Sequence, residues 1–137
     1  MWPRVEGLRA FSFGDAGPMR QRLTALALAG TKVATAGLLS HDYLDQDEKV
    51  DVVGERQALL GDDENVAAIV EVTRVEVHAL LDVPWEFAQA EGEGFESVED
   101  WRSGHTSYYA AQGIPIDSDS QFVCVWFRIV EYRPAVG

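Results

Sequence analysis

Val66-Ala67-Ala68-Ile69-Val70-Glu71-Val72-Thr73-Arg74-Val75-Glu76-Val77-His78-Ala79 carries two alternating patterns of opposite phase. Apolar residues hold the even positions at Val66, Ala68, Val70 and Val72. They move to the odd positions at Val75, Val77 and Ala79. Alternation with period two is the mark of a strand with one buried face. A change of phase within it requires an extra residue, so the stretch predicts one long strand with a bulge or sharp bend near Thr73-Arg74. Long bent strands are what close small barrels.

Outward from this strand, Phe122 to Tyr132 begins with six apolar residues in a row. A run apolar on both faces belongs in the middle of a sheet. Arg56 to Leu60 reads as another strand, turning into the long one at Gly61-Asp62-Asp63-Glu64-Asn65. Pro18 suits a first helical position, and Met19, Leu23, Leu26 and Ala27 recur at helical spacing up to Gly30, a natural left-handed cap. This predicts a helix over about 18–29, followed by a short strand from Lys32 to Leu39. Pro84 opens a second helix, about 84–91. Ser97-Val98-Glu99-Asp100 has the capping-box pattern for a third, about 98–111. Residues 1–17 read as irregular. Strands that flank one helical excursion indicate a segregated α+β fold of about five or six strands and three helices.

The 137 residues suit one domain, 1–137. The formal net charge of −12 is unevenly spread: residues 36–100 carry eighteen acidic and three basic side chains. A duplex-gripping protein needs a basic face, so duplex DNA is an unsuitable partner. A local basic pocket could still be built from Arg4, Arg9, Arg20, Arg22, Lys32 and Arg102. The run His41 to Asp51 is acidic but lacks the calcium-loop pattern, with Lys49 and Val50 where a ligand and a glycine belong. It reads as a solvated loop. The single cysteine, Cys124, lies within an apolar run and reads as core. No apolar run of membrane-spanning length occurs, the first residues lack a signal-peptide pattern, and a reducing, cytoplasmic setting is expected. His41, His78 and His105 lack metal-ligand spacing, and neither a phosphate-loop nor a dinucleotide-binding pattern occurs, so neither a metal nor a cofactor is expected.

Two stretches stand out chemically. Gly30-Thr31-Lys32-Val33-Ala34-Thr35-Ala36-Gly37 sets a lysine and a threonine three residues apart beside glycines that permit close backbone approach. Ala90-Glu91-Gly92-Glu93-Gly94 supplies carboxylates on a glycine-rich turn. Glu91 either closes a helix or is turned inward by its glycines. Trp101, His105, Tyr108 and Tyr109 make an aromatic-rich helix that either packs in the core or stacks on a planar ligand.

Taken together, Phe13-Gly14-Asp15, Gly30-x-Lys32-x-x-Thr35, Phe87-Ala88-x-x-Glu91-Gly92-Glu93-Gly94, Trp101-Arg102-x-x-His105 and Val123-Cys124-x-x-Phe127 resemble the ASCH domain family (activating signal cointegrator homology), in its stand-alone bacterial form. The resemblance spans about residues 5–132. It implies a small β-barrel of the PUA-like type decorated with helices, and a cleft for a nucleoside, a nucleotide or single-stranded RNA. Some small members are amidohydrolases that deacylate N4-acetylcytidine, and others have been described as ribonucleases. The amidohydrolase active site maps by motif onto Lys32, Thr35 and Glu91, with Gly37 where those members often carry an arginine. Gly30, Trp101, Arg102, His105 and Tyr109 are the expected ligand contacts. The alternatives are a binding module in which Lys32 stays charged, and a ribonuclease using Glu91 with His105.

Overall fold

The computed structural model describes residues 1–133. Six strands are formed: β1 (Arg4–Val5), β2 (Leu8–Phe11), β3 (Ala34–Leu38), β4 (Arg56–Leu60), β5 (Val66–Ala79) and β6 (Gln121–Tyr132). The helices are α1 (Pro18–Leu28), α2 (Trp85–Ala90) and α3 (Val98–Ala111). Short helical turns cover Leu39–Tyr43, Leu44–Gln46 and Leu80–Asp82.

The strands form one sheet in the order β1-β2-β4-β5-β6-β3, antiparallel except for β2 beside β4. The fold is α+β, as the sequence predicts. The expected barrel is not closed: β1 and β3 remain as the two edges of an open sheet.

The phase change in β5 becomes a bulge. Val72 pairs with Phe127 and Arg74 with Trp126, which leaves Thr73 as the extra residue. A second shift falls between Ile69 and Val70. β6 lies between β5 and β3, in the interior of the sheet, and uses both faces. Phe122 and Cys124 pack against Phe87, Trp101 and Tyr109 from α2 and α3. Val123 and Val125 pack with Tyr43 and Val72, and Phe127 joins Phe13, Leu23 and Ala27 under α1. Cys124 is fully buried, and burial pushes its thiol well above the ordinary range. It is a core residue.

The helix boundaries follow local chemistry. Pro18 opens α1, and Gly30 caps its end at φ +80°. In α3, Ser97 Oγ accepts from the Asp100 amide at 3.0 Å, while the Asp100 carboxylate accepts from the Glu96 amide at 3.1 Å.

Two segments differ from their expected form. Residues 1–17 hold β1 and β2, which pair with each other, and β2 also pairs with β4. These strands are too short to show a period. The run 41–51 is not a solvated loop: Glu48 and Asp51 are buried. Arg4 donates two hydrogen bonds to Glu48, and Arg9 lies at 3.8 Å from it. Asp51 is held by Tyr43 and Gln57. The ions that fold this acidic run come from the first nine residues, some forty positions away. No helix among the described residues is long and apolar enough to cross a membrane.

Candidate active site

The site begins at the end of α1. After Gly30, the amides of Thr31 and Lys32 both donate to Leu26 O, at 3.0 and 3.1 Å. The Val33 amide then donates to Ala90 O at 2.9 Å, and Val33 O accepts from Phe127 at 3.0 Å. The chain is thereby clamped between α1, the end of α2 and β6. The turn after α2 packs directly on this segment. Gly92, at φ +65°, leaves so little room that a Cβ there would fall 2.1 Å from Thr31 O. Only glycine lets the Glu91 turn approach the Lys32 backbone this closely.

Lys32 is 2% exposed. Its Nζ donates to Ala34 O at 2.9 Å, to Glu91 Oε2 at 3.2 Å and to Glu93 Oε2 at 2.6 Å. These three bonds use the three hydrogens of an ammonium, and the Glu91 carbonyl lies further off at 3.5 Å. Glu91 is also 2% exposed, and its other oxygen accepts from Trp101 Nε1 at 2.9 Å. Trp101, fully buried in the α2–α3 core, therefore orients Glu91 from behind.

Two carboxylates share one cation, which leaves an excess negative charge in a buried place. Glu93 absorbs it. Burial first, and the neighbouring Glu91 next, push its carboxyl up to about 7, while the charge of Lys32 pulls the other way. His105 stacks on Trp101 with ring centres 3.9 Å apart. Its Nδ1 donates to Trp101 O at 2.9 Å, since a carbonyl can only accept. Burial lowers the affinity of this ring for a second proton, so Nε2 presents a lone pair 3.8 Å from Glu91 Oε1.

A cavity of about 530 Å³ passes over this cluster and across the sheet, within the usual range of small-molecule sites. Lys32, Thr35, Glu91, Glu93, His105 and Tyr109 all line it. Thr35 and Gly37 face it from β3, and Ala34 points to the opposite core. The Thr35 hydroxyl makes no hydrogen bond within the described residues and is free for a ligand.

Of the residues expected to matter, Lys32, Thr35, Glu91, His105 and Tyr109 meet on this cavity, while Gly30, Trp101 and Arg102 lie off its lining. Gly30 is a helix cap. Trp101 is too buried to stack on anything that enters. Arg102 donates to Leu80 O and Leu81 O, at 3.0 and 2.8 Å, and ties the Leu80–Asp82 turn to α3. The local basic pocket is not formed: Lys32 is the one lysine or arginine on the lining, because Arg4 and Arg9 are taken by Glu48 and Glu55. Among the described residues, no three or more His, Cys, Asp or Glu are grouped to hold a metal ion.

Sequence reasoning sets Glu93 on the glycine-rich turn but does not name it as a site residue. Its position two residues after Glu91, across one glycine, was the available signal, because an intervening left-handed residue can return both side chains to one point.

The raised Glu93 carboxyl gives a stability prediction. The native state binds this proton more tightly than the unfolded chain, whose carboxyl titrates near 4.5. The contribution is complete below about pH 4.5 and is lost as the pH rises through about 7, a change on the order of 3 kcal/mol. Chemical denaturation between pH 5 and 8 should show wild-type stability falling over this window and Glu93→Gln losing that part of the slope. An unchanged slope in the variant would show that another group is responsible.

The ASCH domain family model matches residues 9–131. Among solved structures, protein EF3133 from Enterococcus faecalis V583 is 28% identical, with 90% of this chain and 76% of that one covered and a TM-score of 0.78. An ASCH domain from Lactobacillus crispatus JV V101 is 27% identical, with 90% and 79% covered and a TM-score of 0.75. A ZmASCH mutant from Zymomonas mobilis shares the fold at 9% identity and a TM-score of 0.58, over 92% and 73% of the two chains. No curated protein matches the chain.

Proposed function

The chain belongs to the ASCH domain family, and on that premise we propose that it is an amidohydrolase acting on an N-acylated nucleoside of the N4-acetylcytidine type. The observation that carries the reading is the buried Lys32 ammonium, held between Glu91 and Glu93 on the wall of a cavity that also presents the free hydroxyl of Thr35. A cavity lined by Asp42, Asp51, Glu91 and Glu93 against Lys32 suits a small ligand without phosphates better than a strand of RNA.

Lys32 Nζ is taken up by the Ala34 carbonyl, Glu91 and Glu93, so the base is assigned to Glu93. A carboxyl near 7 is half-ionised at working pH, where proton transfer in both directions is efficient. In the proposed reaction, Thr35 Oγ1 attacks the acyl carbon and its proton passes to Glu93. Protonation loosens the Glu93 grip on Lys32, and the freed Nζ–H donates to the developing oxyanion. Collapse breaks the C–N bond, and the proton moves from Glu93 to the leaving amine. Water, deprotonated by Glu93, then attacks the Thr35 ester, and as the C–O bond breaks the proton passes from Glu93 to Thr35 Oγ1, releasing the acyl group as a carboxylic acid. Glu91, held by Trp101, keeps Lys32 in place throughout.

Replacing Thr35 with valine keeps the shape of the side chain and removes the hydroxyl. N4-acetylcytidine turnover should fall at least ~100-fold, with the fold intact by circular dichroism. Wild-type protein with no turnover, or a Thr35→Val variant with full turnover, would overturn the reading.

A further inference from the structure

The cavity has a second polar end that the proposed reaction does not use. Gln57 on β4 and Thr35 on β3 line the same cavity, with β5 and β6 between their strands. Gln57 pairs with Val70, whereas Thr35 is level with Val75 through Val125, and Tyr43 spans toward β3, its Cε1 2.9 Å from where a Cβ on Gly37 would sit. The floor between them is apolar, with Val72 and Val125 on the lining.

At this far end, Asp51 is 7% exposed, Gln57 3% and Tyr43 4%. Tyr43 Oη donates to Asp51 Oδ1 at 2.6 Å, and Gln57 Nε2 donates to Oδ2 at 2.8 Å. Burial and the neighbouring Asp51 charge hold the Tyr43 phenol protonated, so it acts as a donor. These two neutral donors occupy about half of the carboxylate's acceptor positions. Among the described residues, Asp51 has no cation within ion-pair distance. Arg9, the nearby candidate, is committed to Glu55 at 2.7 Å and to Lys49 O at 2.6 Å. Gln57 Oε1 accepts no hydrogen bond from any described residue, although the side chain is buried against the cavity. Gln57 Oε1 is not sealed from solvent, since among the described residues Thr24 Oγ1 is the one fully buried side-chain polar atom without a partner, so it and the open lone pairs of Asp51 offer acceptors to a donor entering the cavity.

We propose that Asp51, Gln57 and Tyr43 form a second subsite, across the sheet from Thr35, that takes the hydrogen-bond-donating end of the ligand through Asp51 and Gln57 Oε1. Both of these open groups are acceptors. A phosphate has no donor to offer and would meet Asp42, Asp51, Glu91 and Glu93 against Lys32 alone. Two sources supply the required chemistry: the hydroxyls of a sugar, or an ammonium group. In a ligand whose acyl amide sits at Thr35, the sugar reaches across the floor to Asp51. In that form the inference rests on the proposed function, but its test does not use turnover.

The test is equilibrium binding of unreactive probes to the full chain by calorimetry: cytidine, cytosine, cytidine 5′-monophosphate and butylamine. Cytidine should bind ~10-fold or more tighter than cytosine, as expected for hydrogen bonds to a charged acceptor, and tighter than the monophosphate. In Asp51→Asn the gap should close. The new amide would donate to Gln57 after that side chain flips, which uses up the open acceptor and keeps Tyr43 satisfied. If butylamine, rather than the sugar, shows the Asp51-dependent gain, the subsite stands with an ammonium as its ligand. Equal binding of cytidine and cytosine without such a gain, a gap that survives in Asp51→Asn, or no binding at all would overturn it. Should Asp51→Asn not fold, 2′,3′-dideoxycytidine on the wild-type protein makes the same comparison, and an undiminished affinity overturns the sugar-binding form. A gap without acyl-cytidine turnover removes the reaction and keeps the subsite; turnover without an Asp51-dependent preference does the reverse.

Discussion

Gly92→Ala is expected to unfold or strongly destabilise the protein although it adds a single methyl group. The new Cβ would lie 2.1 Å from Thr31 O and 3.0 Å from Lys32 Cα. Both are backbone atoms in a segment already clamped by hydrogen bonds to α1, α2 and β6, so neither can move aside cheaply. The backbone at Gly92 is also left-handed, which costs a residue with a side chain roughly 1–2 kcal/mol by itself. With the overlap added, a loss of about 4 kcal/mol or more is expected. Gly94 provides the control. It also has positive φ, but nothing lies within 4 Å of its added Cβ, so Gly94→Ala should cost only about 1–2 kcal/mol. Chemical denaturation of the two variants checks the contrast. Equal losses would show that close approach at Gly92 is unimportant.

Lys32→Met should produce the second large effect, and it should depend on pH. The substitution keeps an unbranched side chain, one heavy atom shorter, and removes the cation held between Glu91 and Glu93. Two buried carboxyls then face each other without a counter-charge. Breaking a buried ion pair from one side costs about 3–5 kcal/mol. At pH 8 the variant should lose stability by this amount. Without the cation that pulls it down, the Glu93 carboxyl, already raised by burial and by Glu91, holds its proton still more tightly in the folded state than in the unfolded chain. The lost stability should therefore return in part as the pH falls from 8 to 5. Thermal or chemical denaturation at the two pH values measures it. N4-acetylcytidine turnover should also drop at least ~100-fold at pH 7, because the donor to the oxyanion is gone. A variant as stable as wild type at pH 8 would mean that the buried charges compensate one another in some other way.

Both predictions rest on a site whose parts were unequally visible in the chain. The bulge at Thr73 was legible because side-chain alternation is a local record of which face is buried. The central place of β6 was legible for a related reason, since an unbroken apolar run has no solvent face. The boundaries of α3 followed from Ser97 and Asp100, whose capping contacts span three residues. Lys32, Thr35 and Glu91 could be named only through motif order. Nothing local distinguishes a buried lysine from an exposed one.

The parts that stayed hidden depend on partners distant in sequence. Glu48 and Asp51 look like solvent-facing acids until Arg4, Arg9, Tyr43 and Gln57 are brought beside them. β1 and β2 are too short to announce themselves and exist because β4 offers an edge. Closure is likewise a property of the whole sheet, and here it stays open between β1 and β3. The chain alone thus determined the bend of its long strand, its interior strand, its helices and its family, because these follow from local periodicity, capping and motif order. Only the tertiary structure decided that one ammonium serves two carboxylates, that Glu93 absorbs the spare charge, and that Asp51 waits at the other end of the same cavity. Those outcomes arise from desolvation and charge brought together across tens of residues, and no local pattern encodes them.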